Sequence, residues 1–259
     1  EMQLVPQLAE SIPTLENKQA TLVKVDGVSK IIATWKIRQN AKWGDGVPIS
    51  CNDFAFTKKV SLSENVAVAT REPYNKAEKI ACDPKDPKLV KITYRNTIWD
   101  FNRMLQFYLL PSHLEESIFN KYGPEKLSYD SHSLYTTQPT NAGLYSGPYV
   151  VSEVKLGSHI QLKANPFFWG PQPKIKTIII KIIPNTSTLE SNLYSGTIDM
   201  IGLIGVTLDQ VLGIEENLAK NQKPYIVQYE EGLNYEHIDL NLNNEILKIY
   251  IKFLQEFIY

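Results

Sequence analysis

Trp35-Lys36-Ile37-Arg38-Gln39-Asn40-Ala41-Lys42-Trp43-Gly44-Asp45-Gly46-Val47-Pro48-Ile49-Ser50 holds three structural instructions in sixteen residues. From Ile31 to Arg38, Ala33, Trp35 and Ile37 fall on one parity and Thr34, Lys36 and Arg38 on the other. A period of two is that of a half-buried strand. Trp43-Gly44-Asp45-Gly46 then supplies a turn, with glycine free to take positive φ. Ser50 at the N-cap and Asp53 three residues later form a capping box with a shortened acid, which predicts a helix running to about Leu62.

Working outward, Leu89–Arg95 reads as a second strand, with Val90, Ile92 and Tyr94 on one face. Pro111–Tyr122 predicts a short helix with Ser112 as its cap and Gly123-Pro124 as its stop. Residues 128–141 are rich in Ser, Thr, Gln, Asn, Tyr and Pro and read as a long loop. Tyr149–Lys155 and His159–Ala164 flank Leu156-Gly157-Ser158 as a hairpin. Ile175–Ile183 is β-branched and apolar, a pattern expected of a buried strand. Ser187 with Glu190 predicts a capped helix ending at Gly196, and Thr207 with Gln210 predicts another through about Lys220. Thr197–Ile201, Tyr225–Tyr229 and His237–Asn241 read as short strands. The fold class is therefore α/β or α+β with mixed sheets and flanking helices.

The chain has 259 residues, with 27 Lys+Arg against 28 Asp+Glu and 43% hydrophobic residues. That suits a globular protein with a substantial core and argues against long disorder. A nearly neutral chain offers no global electrostatic case for nucleic acid. No apolar run reaches the roughly 20 residues of a spanning helix. No secretory signal is visible and the chain begins at Glu1, so a processed form or a fragment is expected. The two cysteines, Cys51 and Cys82, have no metal spacing. Free, mostly buried thiols are favoured over a disulfide, which the sequence leaves open.

Catalytic signatures do not emerge. There is no phosphate-cradling P-loop, dinucleotide glycine fingerprint, nucleophile elbow or His-Glu-x-x-His zinc motif. The four histidines, His113, His132, His159 and His237, stand singly. Glu115-Glu116 and Glu230-Glu231 are expected to be solvated, because adjacent helical residues do not face one another. No catalytic residue, metal ligand or cofactor is assigned. The chain has 14 Tyr, 9 Phe and 4 Trp. Trp43, Trp99, Tyr108, Tyr135, Tyr145, Phe167, Phe168 and Trp169 fall in predicted loops or turns, where aromatic rings either line a cleft or anchor the loop to the core.

Four segments together resemble one family. The first is the opening stretch continued to Asp53-Phe54. The second runs from Gly143-Leu144-Tyr145-Ser146-Gly147-Pro148-Tyr149 to Asn165-Pro166-Phe167-Phe168-Trp169-Gly170. The third is Ile183-Pro184-Asn185 through Leu193-Tyr194-Ser195-Gly196-Thr197-Ile198-Asp199. Tyr235-Glu236-His237-Ile238-Asp239-Leu240-Asn241-Leu242-Asn243 is the fourth. Their order and spacing are similar to those of the extracytoplasmic peptide- and nickel-binding proteins of ABC importers.

That resemblance implies a periplasmic-binding-protein type II-like fold, here mainly one lobe, with the second lobe missing. It implies an accessory subdomain over 1–140, a core sheet subdomain over 141–244, and a divergent terminal helix over 245–259 at the crossover. It further implies capture of an oligopeptide or related small solute outside the cytoplasm and delivery to a membrane permease, by a monomer that a lipid anchor could hold at the membrane. Trp99, Tyr145, Asn234 and Tyr235 are the expected cleft-facing residues, and a lone lobe is expected to bind weakly. A non-functional fragment and a secreted hydrolase with a dispersed site are the alternatives.

Overall fold

β1 (Ala20–Val25) and β2 (Val28–Lys36) form an antiparallel hairpin with Val25 opposite Val28. Asp26 and Gly27, between them, both take positive φ, +51° and +82°. That is the requirement of the tight turn whose twist matches a right-twisted ribbon. The computed structural model describes residues 4–103, 107–202, 205–221, 225–229 and 241. The chain divides into two compact units, residues 1–182 and 183–259.

In the first unit, α1 (Cys51–Ser61), α2 (Glu72–Lys76), β3 (Ala77–Cys82) and β4 (Leu89–Tyr94) follow the hairpin. The four strands pair antiparallel in the order β1-β2-β4-β3. Ala33 lies opposite Ile92 and Trp35 opposite Val90, so the alternating residues read from the sequence share one buried face. Ile37, Trp43, Ile49, Phe54 and Tyr94 complete this core. β1, α2 and β3 escape the sequence reading. β1 alternates imperfectly, and β3 is an edge strand whose irregular register begins at Ala77.

α1 begins as its capping box predicts, with Asp53 Oδ2 accepting from the Ser50 N–H at 2.8 Å. The Asp53 carboxylate is almost fully buried and does more. Its Oδ1 accepts from both the Ser112 N–H at 2.8 Å and the Ser112 hydroxyl at 2.7 Å. Those bonds fix the start of α3 (Ser112–Tyr122). Ser112 is therefore the first helical residue and a donor to Asp53, and Pro111 occupies the cap position. One turn along α1, the Thr57 hydroxyl donates to the Asp53 carbonyl and accepts from the Leu110 N–H. Phe56, Phe119 and Tyr129 then pack edge to face as a second core between the helices.

The predicted loop over 128–141 contains two short helices, α4 (Ser128–His132) and α5 (Leu134–Thr137). Their cause is remote in sequence. Glu115, expected to be solvated, has 0% exposure. It accepts from the Tyr129 hydroxyl at 2.7 Å and the Leu134 N–H at 2.8 Å. A buried carboxylate needs such partners, and here they hold the two helices against α3.

Cys51 and Cys82 form a disulfide with Cα atoms 5.5 Å apart, correcting the expectation of free thiols. Sequence spacing cannot reveal that pairing, because the fold brings the start of α1 to the end of edge strand β3. Lys88 adds a polar clamp nearby. Its buried ammonium donates to the Ala41 and Ile49 carbonyls at 3.0 and 2.6 Å, and burial pushes its pKa down.

β5 (Tyr149–Lys155) and β6 (His159–Ala164) form the expected hairpin, with Gly157 at φ +69°. β7 (Thr177–Lys181) adds to β6, giving the order β5-β6-β7. The Ile175–Ile183 segment is not the buried strand expected. Ile175 is 63% and Ile179 54% exposed: among the described residues β7 pairs with β6 alone, and its isoleucines lie on both faces.

The second unit holds α6 (Thr186–Tyr194) and α7 (Leu208–Lys220), packed through Leu193, Ile198, Ile214 and Leu218. The Thr207–Gln210 capping box forms as read. The predicted Ser187 cap is replaced by Asn185, whose side chain accepts from the Thr188 N–H at 2.9 Å. Gly196 sits just past the helix at φ +74°. Thr197–Ile201 is not a strand, because the Thr197 and Ile198 N–H groups close the end of α6 on the Asn192 carbonyl. Tyr225–Tyr229 has no regular structure either; its Tyr225 hydroxyl donates to the Ile198 carbonyl at 3.1 Å. The strand expected over His237–Asn241, the Glu230-Glu231 pair and the terminal helix over 245–259 fall outside the described residues, Asn241 excepted.

The joints at Asp53 and at the disulfide can each be tested by stability. Asp53→Ala should lower the unfolding free energy by about 3 kcal/mol, since it strands several buried donors at once. Urea unfolding should show a lower midpoint at unchanged slope, with Asp53→Asn intermediate. Cys82→Ala should cost roughly 3 kcal/mol through the lost cross-link. Reducing agent should produce the same drop in the parent and none in the variant.

Candidate functional site

The four residues expected at a cleft reach different places. Asn234 and Tyr235 lie outside the described residues. Tyr145 is partly buried. Its hydroxyl donates to the Pro139 carbonyl at 2.5 Å, and its ring meets Tyr135 edge to face at 6.4 Å. Burial pushes its phenol pKa up. Its carbonyl accepts from the Gly44 N–H at 2.8 Å. Gly44 has no room for a side chain there, since a Cβ would stand 2.8 Å from Val150 Cγ1. Tyr145 thus joins the Trp43–Gly46 turn to the entry of β5.

Around the same turn, the other motif residues act as anchors. Asp45 Oδ2 meets His113 Nε2 at 2.8 Å, and its Oδ1 accepts from the Val47 N–H at 3.0 Å. The Asn165 side chain is fully buried; its amide donates to the Gly147 carbonyl and its oxygen accepts from the Phe167 N–H, both at 2.9 Å. Phe167 lies against Gly46, and Trp169 packs on the main core. Trp43 is buried. The aromatic turn residues here serve packing.

Trp99 differs: its side chain is 77% exposed. The Arg103 guanidinium lies over its indole, 4.7 Å from the ring centroid. This cation–π stack orients both groups. Two bonds hold the turn that presents them. Asp100 pairs with Lys76 at 2.8 Å, and the Tyr94 hydroxyl donates to the Phe101 carbonyl at 2.6 Å. Glu72 also meets Lys76, at 2.9 Å. These two carboxylates raise the Lys76 pKa, with the Asp100 hydrogen bond the largest cause. Tyr94 is pushed far up, first by burial and then by the Asp100 charge. Neither group is poised to exchange a proton near neutral pH.

Beside Trp99 is a pocket of about 240 Å³. Ala77, Ile92, Tyr94, Ile98 and Phe107 give it an apolar lining, and Glu72, Lys76, Asp100 and Arg103 give it charge. An apolar body with a few placed polar groups is the composition of a ligand site. Trp99 itself is not among the lining residues; it meets the pocket through Arg103, and sequence reasoning misses the charged groups because Lys76 and Asp100 are brought together by the β3–β4 pairing. The spacing of Trp99 and Arg103, four residues apart, is the one local signal. The structure does not unite Trp99 with Tyr145, as each has its own partners. Among the described residues, no three His, Cys, Asp or Glu side chains converge as a metal site, and no helix is long and apolar enough to cross a membrane.

The family profile described as bacterial extracellular solute-binding proteins, family 5, middle region, matches residues 3–250. The oligopeptide-binding protein AppA of Bacillus subtilis is 24% identical over 250 residues, covering 93% of this chain and 39% of that protein. OppA of Lactococcus lactis subsp. lactis is also 24% identical, over 86% of this chain and 37% of that protein. Among solved structures, NikZ from Campylobacter jejuni in complex with Ni(L-His) aligns at a TM-score of 0.67 and 25% identity, covering 95% of this chain and 43% of that one. The oligopeptide-binding protein of Thermus thermophilus, complexed with a pentapeptide, aligns at 0.60 and 23% identity, over 75% of this chain and 36% of that one. The chain therefore spans about two fifths of the length of these relatives.

Quenching of tryptophan fluorescence should report the Trp99 geometry directly. Trp35 and Trp43 are buried and Trp169 is partly buried, so Trp99→Phe should remove the most accessible share of the emission. The ratio of iodide to caesium quenching should fall in Arg103→Gln relative to the parent, because Arg103 attracts the anion to the indole.

Proposed function

Since the chain belongs to family 5 of the bacterial extracellular solute-binding proteins, we propose that it captures oligopeptides, or a related small solute, outside the cytoplasm for an ABC importer. The family is a substrate-binding, non-enzymatic component of transport, and the fold is periplasmic-binding-protein type II-like. The observation that carries the proposal is the family match over residues 3–250, a range that includes the strand–turn–helix and the Asn165 turn. Delivery of the solute to a membrane permease completes the role. The protein acts as a monomer, and a lipid anchor would keep it near that permease.

The mechanism is closure of two lobes about a ligand, with no covalent step. Peptides of varied sequence share a backbone, so strand-like hydrogen bonding with roomy side-chain pockets would hold many of them. Residues 1–140 act as the accessory subdomain, 141–244 as the core sheet subdomain, and 245–259 as the crossover to the partner lobe. Among the described residues, Trp99 is the exposed aromatic offered as a ligand contact. The disulfide between Cys51 and Cys82 supports an extracytoplasmic setting, since such bonds persist in oxidising compartments.

Deletion of the encoding gene tests this reading through uptake of isotope-labelled tripeptides and of a nickel–histidine chelate. Loss of peptide uptake is expected, with restoration by the intact gene. Loss of chelate uptake alone would move the ligand within the family's chemistry. Unchanged uptake of both, with loss of a secreted peptidase or glycosidase activity, would overturn the importer role.

A further inference from the structure

We propose that the pocket beside Trp99 binds a free apolar α-amino acid as its zwitterion. The inference stands apart from the importer reading, because it rests on this pocket alone. Its capacity sets the scale first. At about 240 Å³ it falls below the roughly 300–1,000 Å³ of sites for larger ligands, so it suits one residue-sized molecule.

The lining sets the chemistry. Ala77, Ile92, Ile98 and Phe107 offer an aliphatic or small aromatic side chain a place out of water. Phe107 is itself held by Tyr74 and Phe54, with ring centroids 4.8 and 5.9 Å away, so the apolar wall is supported from behind.

The charges set the polarity. Glu72, Lys76 and Asp100 form a group of two carboxylates and one ammonium, which leaves an excess of negative charge. The Glu72 carboxylate meets Lys76 through Oε1, and the Glu72 side chain is 67% exposed. It can accept from a ligand ammonium. Arg103 supplies the complementary cation. Its face is occupied by the Trp99 indole, which leaves its N–H edge for a carboxylate in paired hydrogen bonds. A ligand with one carboxylate, one ammonium and an apolar side chain satisfies all three parts of the lining. A fatty acid leaves the Glu72 side uncompensated, and an amine leaves Arg103 unused.

The rim is also pre-organised. The Lys76–Asp100 pair and the bond from Tyr94 to the Phe101 carbonyl hold the turn before any ligand arrives. Ordering that turn therefore costs little on binding.

The test uses the full 259-residue chain, titrated by NMR and by Trp99 fluorescence. The probes are L-leucine, N-acetyl-L-leucine without the ammonium, and L-leucinamide without the carboxylate. Leucine should saturate with Kd near 1 mM, roughly the scale of a small ligand making few contacts. Each analogue should bind about tenfold more weakly, as expected for a lost charge-assisted hydrogen bond. Arg103→Gln should weaken leucine and N-acetyl-leucine but leave leucinamide unchanged. Glu72→Gln should weaken leucine and leucinamide but leave N-acetyl-leucine unchanged. Both side chains are exposed, so far-UV circular dichroism should match the parent. Equal binding of all three probes, indifference to both substitutions, or no saturable response to leucine would overturn the assignment. Peptide uptake is measured separately, so it can be lost on gene deletion whatever the pocket does.

Discussion

The buried carboxylate of Asp53 is the constraint on which the first unit depends. It lies in the first turn of α1, yet its acceptor oxygens serve the chain before the helix and the start of α3, 59 residues later. An ionised carboxylate out of water is costly unless its lone pairs are filled. Here the filling groups are the ends of separate elements. The cost of burial is thus turned into a condition on geometry: α1, the turn before it and α3 must meet in one arrangement. Glu115 repeats the device one layer out, taking its donors from α4 and α5. Hydrophobic packing of Phe56, Phe119 and Tyr129 supplies attraction between the helices, while the carboxylates fix where they begin.

Elements whose cause is local could be read from the chain. β2 and β4 alternate because one face is buried, and α1 and α7 carry their own caps. The hairpin at Gly157 needs only its turn and its flanking alternation. Elements whose cause is remote could not. α4 and α5 have weak helical sequences and exist because Glu115 collects their donors. The Cys51–Cys82 bridge depends on β3 reaching the start of α1. The Asp26-Gly27 turn is local in cause as well, since both residues take positive φ. The exposed isoleucines of β7 make the opposite point: β-branched composition reports a strand, but not what lies on either side of it.

The candidate site divides along the same line. Trp99 is exposed and stacked on Arg103, whereas Trp43, Phe167 and Trp169 anchor turns to the core. Nothing in sequence separates these outcomes, since each aromatic lies beside turn residues. Lys76, Asp100 and Arg103 are ordinary surface charges until β3 and β4 pair and Tyr94 holds the following turn. The family motifs describe how the scaffold closes on itself. They say much less about what the scaffold holds.

The covalent link between Cys51 and Cys82 makes a closed ring of the chain that contains α1, α2 and β3. Backbone cleavage by a protease is a hazard for any folded chain. Any single backbone cut inside this ring leaves the two products joined through sulfur, with α1 still seated by Asp53 and β3 still paired to β4. Such a nicked molecule keeps one mass in solution and separates only when reduced. The bridge thus confers tolerance of damage over the part of the chain that carries Glu72 and Lys76, a property separate from its contribution to folding.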